Sequence, residues 1–319
     1  MTEPSASDSD DVRALRDEVA TLRSIVKAME TSRSWRVTAP LRRTAERLRV
    51  GAVARLLRRA QRSKSSRGTL RTGPVPVAPQ GETTGRVCAI VHAYYPELLN
   101  EIVDHLERCA PLHLVLVTHP GHVAGDVIVD AFTSLTARGV IVEATVVENR
   151  GRDVLPFVTV LSRALRSDCE VFVKLHTKRS PHLGPDGDRW RTTLLDGLLP
   201  ETHEISNLVA YIVSERRFGF AVPVEHAGAR AHWGSNRTGV RSLAKRAGLR
   251  VPRRLVFPAG NMYWCSRGWL ECLAQTDLTL DDFEPEDGQV DGTTAHAVER
   301  LVGCYASTKR ATIWLLPGS

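Results

Sequence analysis

Residues 140–180 read VIVEATVVENRGRDVLPFVTVLSRALRSDCEVFVKLHTKRS, and the pattern changes twice along them. Val140 to Val147 is a short run dominated by branched apolar residues, which predicts a strand. Phe157 to Arg166 carries its apolar residues at helical spacing, and Val171 to Leu175 returns to a strand pattern. The stretch is therefore one strand-helix-strand unit.

The same alternation runs upstream. Val87 to Val91 and Leu112 to Val117 are strand candidates, followed by helical patterns over Pro96 to Arg108 and Gly125 to Arg138. Strands that are apolar along their whole length must be covered on both sides. The order predicts an α/β domain over residues 87–319 with a mostly parallel sheet and helices on both faces. Such sheets bind ligands where their strands finish, so the residues just past each strand are the candidates.

Further upstream the composition changes. Residues 63–86 are rich in Ser, Gly, Pro and Thr and read as a linker. Residues 11–62 form a helical arm. In it Val12, Leu15, Val19, Leu22, Val26 and Met29 follow coiled-coil spacing, suited to self-association or to one amphipathic helix resting on the main domain. After Trp35, Pro40 fits the first turn of a second helix, which places Leu41, Ala45, Leu48, Ala52 and Leu56 along one side and arginines on the other. Residues 1–10 are small, polar and acidic and read as a disordered tail.

The net charge of +7 is unevenly spread: residues 33–67 alone carry +11, so the remainder from Gly68 onward is nearly neutral. A basic amphipathic segment with a nearby Trp fits the surface of an anionic membrane, with partner contact or nucleic acid as rivals. The neutral main domain and the few aromatics in the arm argue against nucleic acid. No apolar run reaches the ~18 residues of a span and no secretory signal pattern opens the chain, which predicts a cytoplasmic protein lying at the inner face of the membrane. Cys88, Cys109, Cys169, Cys265, Cys272 and Cys304 show no metal-ligand spacing and read as reduced core thiols.

Three strand ends and three later segments carry chemistry. His92, Tyr94 and Tyr95 suit stacking on a flat base, or packing on the first helix. Arg150, Gly151, Arg152 and Asp153 combine close backbone approach with guanidinium groups able to grip phosphate or sugar hydroxyls, or form a structural Arg–Asp pair. Lys174, His176, Lys178 and Arg179 make the fourth strand end basic, as an anion site or as a solvated turn. Trp190 and Arg191 precede an aromatic segment around Gly260, which reads as backbone near a ligand or as core. In residues 291–300, Asp291 or Thr293 caps a helix on which His296 and Arg300 share a face beside Glu299.

Taken in order, HAYYPE, ENRGRDVLPF, VKLHTKRS, Trp190-Arg191, AGNMYW and DGTTAHAVER resemble the rhamnan synthesis protein F family, over residues 87 to about 305. SRSWRVTAPLRR resembles a segment of bacterial polysaccharide glycosyltransferases. The resemblance implies a GT-A-like fold and transfer of a sugar, rhamnose by expectation, from a nucleotide diphosphate donor to a lipid-linked or growing glycan. It implies a site of His92, Tyr94, Arg150, Arg152, Asp153, Lys174, His176, Lys178, Trp190, Arg191, Gly260, Met262, Asp291, His296, Glu299 and Arg300; an inverting displacement needs a carboxylate base, for which Asp291 or Glu299, then Asp153, are the candidates. Many nucleotide-sugar enzymes place an Asp-x-Asp metal clamp after the fourth strand. Here that place is basic, so no cofactor is expected to be required and metal dependence stays open. The rival expectation is a scaffold that keeps the fold without catalysis and recruits partners through the coiled coil.

Overall fold

The computed structural model describes residues 70–77, 85–179, 185–229, 233–289 and 291–318. The tail, the coiled-coil segment 12–29 and the basic segment 33–67 lie outside them. An eight-stranded sheet organises the described chain. Its strands are β1 (Leu70–Thr72), β2 (Val87–His92), β3 (Leu112–Pro120), β4 (Ile141–Val147), β5 (Val171–His176), β6 (Phe218–Pro223), β9 (Tyr263–Ser266) and β10 (Thr312–Leu316). A two-stranded ribbon joins β7 (Ala227–Ala229) to β8 (Val256–Pro258).

The order across the sheet is β1-β10-β6-β9-β5-β2-β3-β4. All neighbours run parallel except β9, which is antiparallel to both β5 and β6. The mostly parallel α/β expectation holds, and the central strands show why: every residue of β2, β5 and β6 is buried. Ten helices are seen among the described residues: α1 (Leu99–Leu106), α2 (Gly125–Ala131), α3 (Thr133–Ala137), α4 (Val154–Thr159), α5 (Leu161–Arg166), α6 (Pro185–Leu198), α7 (Thr202–Ser214), α8 (Arg237–Arg246), α9 (Arg267–Ala274) and α10 (Thr294–Lys309).

Helices cover both faces, and β9 displays the division because neighbouring residues of a strand point to opposite sides. Trp264 donates its indole N–H to the Leu198 carbonyl at the end of α6 (2.7 Å). Tyr263 instead accepts one from Trp269 of α9 (3.0 Å). Both aromatic rings are fully buried. The six cysteines are free and buried, as core thiols should be.

Three local differences from the sequence reading have physical causes. Leu70–Thr72, in the stretch read as linker, forms the edge strand β1: Gly73 donates its N–H to the Leu315 carbonyl and accepts the Trp314 indole N–H, and Arg71 stacks on Tyr211 and Trp314 (5.8 and 5.6 Å). The helix expected from Phe157 begins at Val154, because Pro156 is tolerated within a first turn. It also breaks at Val160, as the segment 125–138 breaks at Phe132. No helix among the described residues is long and apolar enough to cross a membrane.

Candidate functional site

Adjacent β2 and β5 end in register at His92 and His176. The loops leaving them are laced together: Thr177 Oγ1 accepts the N–H groups of Tyr94 (2.9 Å) and Tyr95 (2.8 Å), and Thr177 donates its own N–H to the His92 carbonyl (2.9 Å). Strand β4 lies three places from β5, yet its loop turns back over the sheet. Consecutive left-handed residues, Gly151 (φ 64°) and Arg152 (φ 54°), make that turn. A Cβ on Gly151 would sit 2.5 Å from the Phe283 ring, so the approach requires glycine.

The turn delivers Asp153 to β5. Its carboxylate accepts bonds from the Lys174 ammonium and from Asn261 Nδ2 (2.6 Å), with His176 Nδ1 at 3.5 Å; Lys174 also donates to the Asn261 carbonyl (3.0 Å). Burial would push the Asp153 carboxyl up, but His176 and Lys174 hold it well below the usual carboxylate range. Burial drives His176 down to about 3 and His92 to about 4. Both rings are therefore neutral at neutral pH. At neutral pH His176 has hydrogen bonds to offer, without charge. Lys174 is spent on Asp153, and Arg150 donates to the Phe283 carbonyl (2.7 Å), which anchors its loop.

Two cations stand above this neutralised floor. Lys178 lies 4.5 Å from the centre of the Trp190 ring, and burial lowers its pKa against the opposing pull of Asp153 and Glu299. Arg152 is exposed. Its N–H reaches Glu286 (2.9 Å), and its guanidinium reaches His296 Nε2 (3.2 Å) and the Gln289 carbonyl. His296 Nδ1 accepts the Thr293 N–H (3.4 Å) in a capping box and lies 2.7 Å from Thr293 Oγ1, and burial holds the ring at about 4. Thr293, rather than Asp291, is the N-cap of α10.

The three candidate bases now separate. Asp153 is locked in its ion pair. Asp291 accepts the Ser235 N–H (2.8 Å) and Asn236 Nδ2 (2.5 Å); burial pulls its pKa up, but these bonds win and lower it, so it serves as a loop anchor. Glu299 accepts the Gly260 N–H (2.8 Å) and Arg300 (3.0 Å). Burial raises its pKa against Arg300, Gly260 and Lys178, so Glu299 is the most basic carboxylate of the three.

The remaining expected residues divide into contributors and supports. Trp190 presses on Gly260 (φ 89°), where a Cβ would fall 2.1 Å from the indole. Arg191 bonds Glu101, Asp188 and the Lys178 carbonyl (2.7, 2.7 and 3.3 Å), which makes it a brace for Lys178. Arg300 bonds Glu299 and the His296 carbonyl and lies 4.9 Å from the Phe257 ring centre. Tyr94 is half-buried, edge-on to Tyr95 and His122. Met262 is fully buried in the core, which removes it from ligand contact in this arrangement. Sequence reasoning missed Asn261, although Gly-Asn is a pair suited to left-handed backbone, and Asn261 adopts φ 60°. It also missed Thr177, for which the sequence offered no signal.

Among the described residues no group of three His, Cys, Asp or Glu side chains could hold a metal ion. The end of β5 offers an imidazole, a hydroxyl and an ammonium, a donor set that does not fit a hard divalent cation. What the site does present is Lys178 within electrostatic reach of Glu299, a half-buried carboxylate of raised basicity, with Arg152 near the same lysine. It is suited to gripping an anion while a proton is taken from a neighbouring group.

The family model described as rhamnan synthesis protein F matches residues 74–311. The uncharacterized protein WxcX of two strains of Xanthomonas campestris pv. campestris is in each case 34% identical over 219 residues. The match takes in 68% of this chain and 30% of that protein, so the chain spans under a third of the length of these relatives. Among solved structures, the mannosyltransferase PcManGT from Pyrobaculum calidifontis in complex with GDP-Man and Mn2+ is 18% identical with a TM-score of 0.44, over 86% of this chain and 65% of that one. A likeness at that level transfers neither the metal nor the donor.

Proposed function

Because the chain belongs to the rhamnan synthesis protein F family, we propose that it is a glycosyltransferase of cell-surface polysaccharide synthesis, moving rhamnose from a thymidine diphosphate donor to a lipid-linked or growing glycan. The observation that carries the reading is Lys178, set within electrostatic reach of both Glu299 and Arg152 at one edge of a mostly parallel sheet. Its GT-A-like character is part of the proposal, supported by the single antiparallel strand β9 set beside β5.

In this mechanism Glu299 removes the proton from the acceptor hydroxyl as that oxygen attacks the anomeric carbon. The bond from the sugar to the diphosphate breaks, inverting the centre. Lys178 and Arg152 stabilise the departing diphosphate, where fixed charge in a partly dry site is worth most. Asp153 positions Lys174 and Asn261 and takes no proton. The route calls for no metal, since the two cations occupy the electrostatic role of one. The arginine-rich segment 33–67 would hold the protein at the inner face of an anionic membrane and concentrate a lipid-linked acceptor there, and residues 12–29 would serve self-association.

The test is a panel of nucleotide sugars. A true donor must raise the melting temperature by mass action. Arg152→Ala should lose that rise and about tenfold to a hundredfold in transfer while staying folded. Transfer should survive EDTA. A panel with no stabilising donor, or full activity in Arg152→Ala, would overturn the assignment.

A further inference from the structure

The α6 side of the site holds a group that the mechanism above leaves unused. His226, in the single turn between β6 and β7, is 3% exposed and stands edge-on to Trp190, with ring centres 4.7 Å apart. Its Nε2 lies 3.3 Å from Thr193 Oγ1, and that hydroxyl donates to the Trp190 carbonyl (3.1 Å). With the hydroxyl proton on the Trp190 carbonyl, Nε2 carries the imidazole proton and Nδ1 presents a lone pair. That Nδ1 is buried and has no hydrogen-bond partner among the described residues. Burial, reinforced by Lys178, holds the ring at about 4, so it does not escape by taking up a proton at neutral pH.

Buried acceptors without donors are costly, and a native one calls for a reason. Beside this lone pair stand an aromatic plate, Trp190, fixed against Gly260, and an ammonium, Lys178, over the same ring. An apolar plate, a cation and a bare acceptor match the three features of a pyranose: its C–H face, its ring and hydroxyl oxygens, and a hydroxyl proton.

We propose that Trp190 and His226 form a sugar subsite in which Nδ1 of His226 accepts a hydrogen bond from one pyranose hydroxyl. The subsite rests on the sugar-transfer reading and deepens it, since it makes His226 a specificity determinant. A sugar lacking the hydroxyl at that place leaves the acceptor unmet, which is the strongest form of rejection available to a binding site. The sugar belongs either to the donor or to the acceptor glycan, and the chemistry is shared.

Two variants separate this role from a structural one. His226→Gln keeps a partner for Thr193 and removes the acceptor at the Nδ1 position; His226→Asn keeps the acceptor and drops the Thr193 bond. Calorimetry on the full chain would use thymidine diphosphate, thymidine diphosphate rhamnose and methyl rhamnoside. Thymidine diphosphate should bind wild type and both variants alike. The extra affinity contributed by the sugar should fall about tenfold in His226→Gln and survive in His226→Asn, on the donor arm for a donor subsite or on the methyl rhamnoside arm for an acceptor subsite. Equal sugar affinity in wild type and His226→Gln overturns the proposal, as does equal loss in both variants, which would make His226 a prop for Thr193. Binding of methyl rhamnoside without any binding of thymidine diphosphate keeps the subsite and sinks the donor reading; binding of neither sinks both.

Discussion

Two clusters a few residues apart in sequence use the same side-chain types for opposite ends. In the floor, Asp153, Lys174 and Asn261 close on one another, and the charges cancel. On the rim the partners are divided: Lys178 lies over a ring face, Arg152 bonds an imidazole and a backbone carbonyl, and Glu299 takes a backbone N–H together with the Arg300 guanidinium. The floor is built to stay as it is, whereas the rim keeps charge and basicity in reserve. Catalytic groups are expected in the second kind of environment, because a group already satisfied gains nothing from a transition state.

The comparison breaks most visibly in stability. Lys174→Met leaves Asp153 buried without its cation, and removing one partner of a buried pair costs about 3–5 kcal/mol. Chemical denaturation should show that loss, and a Lys174→Met protein of wild-type stability would remove the floor from the account. On the rim, Glu299→Gln should lower kcat by about 10²–10⁴, the size expected for loss of a general base, while its melting temperature falls less than that of Lys174→Met because the amide still accepts from Gly260 and Arg300. Its wild-type pH-rate profile should fall on the acid side at a higher pH than an ordinary Glu, near 4.3, would give, because its folded pKa is raised. A profile flat through that region would exclude it as base.

The smallest effect concerns the buried imidazoles shared by both clusters. His92, His226 and His296 are held at about 4 and His176 at about 3, while unfolded histidines titrate near 6.5. Between those values the unfolded chain binds more protons, so stability rises with pH across the window and is lost as pH falls from about 6.5 toward 4. Melting temperatures measured across that range should decline steadily. A maximum near pH 5 would show that these rings are protonated in the fold.

Much of the architecture was legible because it is local. The apolar runs at Val87, Leu112, Val140 and Val171 each announce a strand within six or seven residues, and short parallel strands with helices between them leave few ways to assemble. The helix start near residue 291 was legible too, with Thr293 taking the cap. Strand β1 was not: Leu70–Thr72 has too little pattern of its own and is a strand only because β10 offers it a ladder.

For the site, the sequence by itself determined which groups collect where strands finish, since any parallel sheet brings those ends to one edge. Which of them keep their charge was decided by the tertiary structure alone. Asp153 meets Asn261 across 108 positions, Arg152 meets His296 across 144, and Glu299 receives the Gly260 N–H across 39. Spacing along a chain carries no record of such meetings. Ionisation is set by burial and by the nearest partner in space, so residues that look alike as letters become a lock in one place and a working base in another.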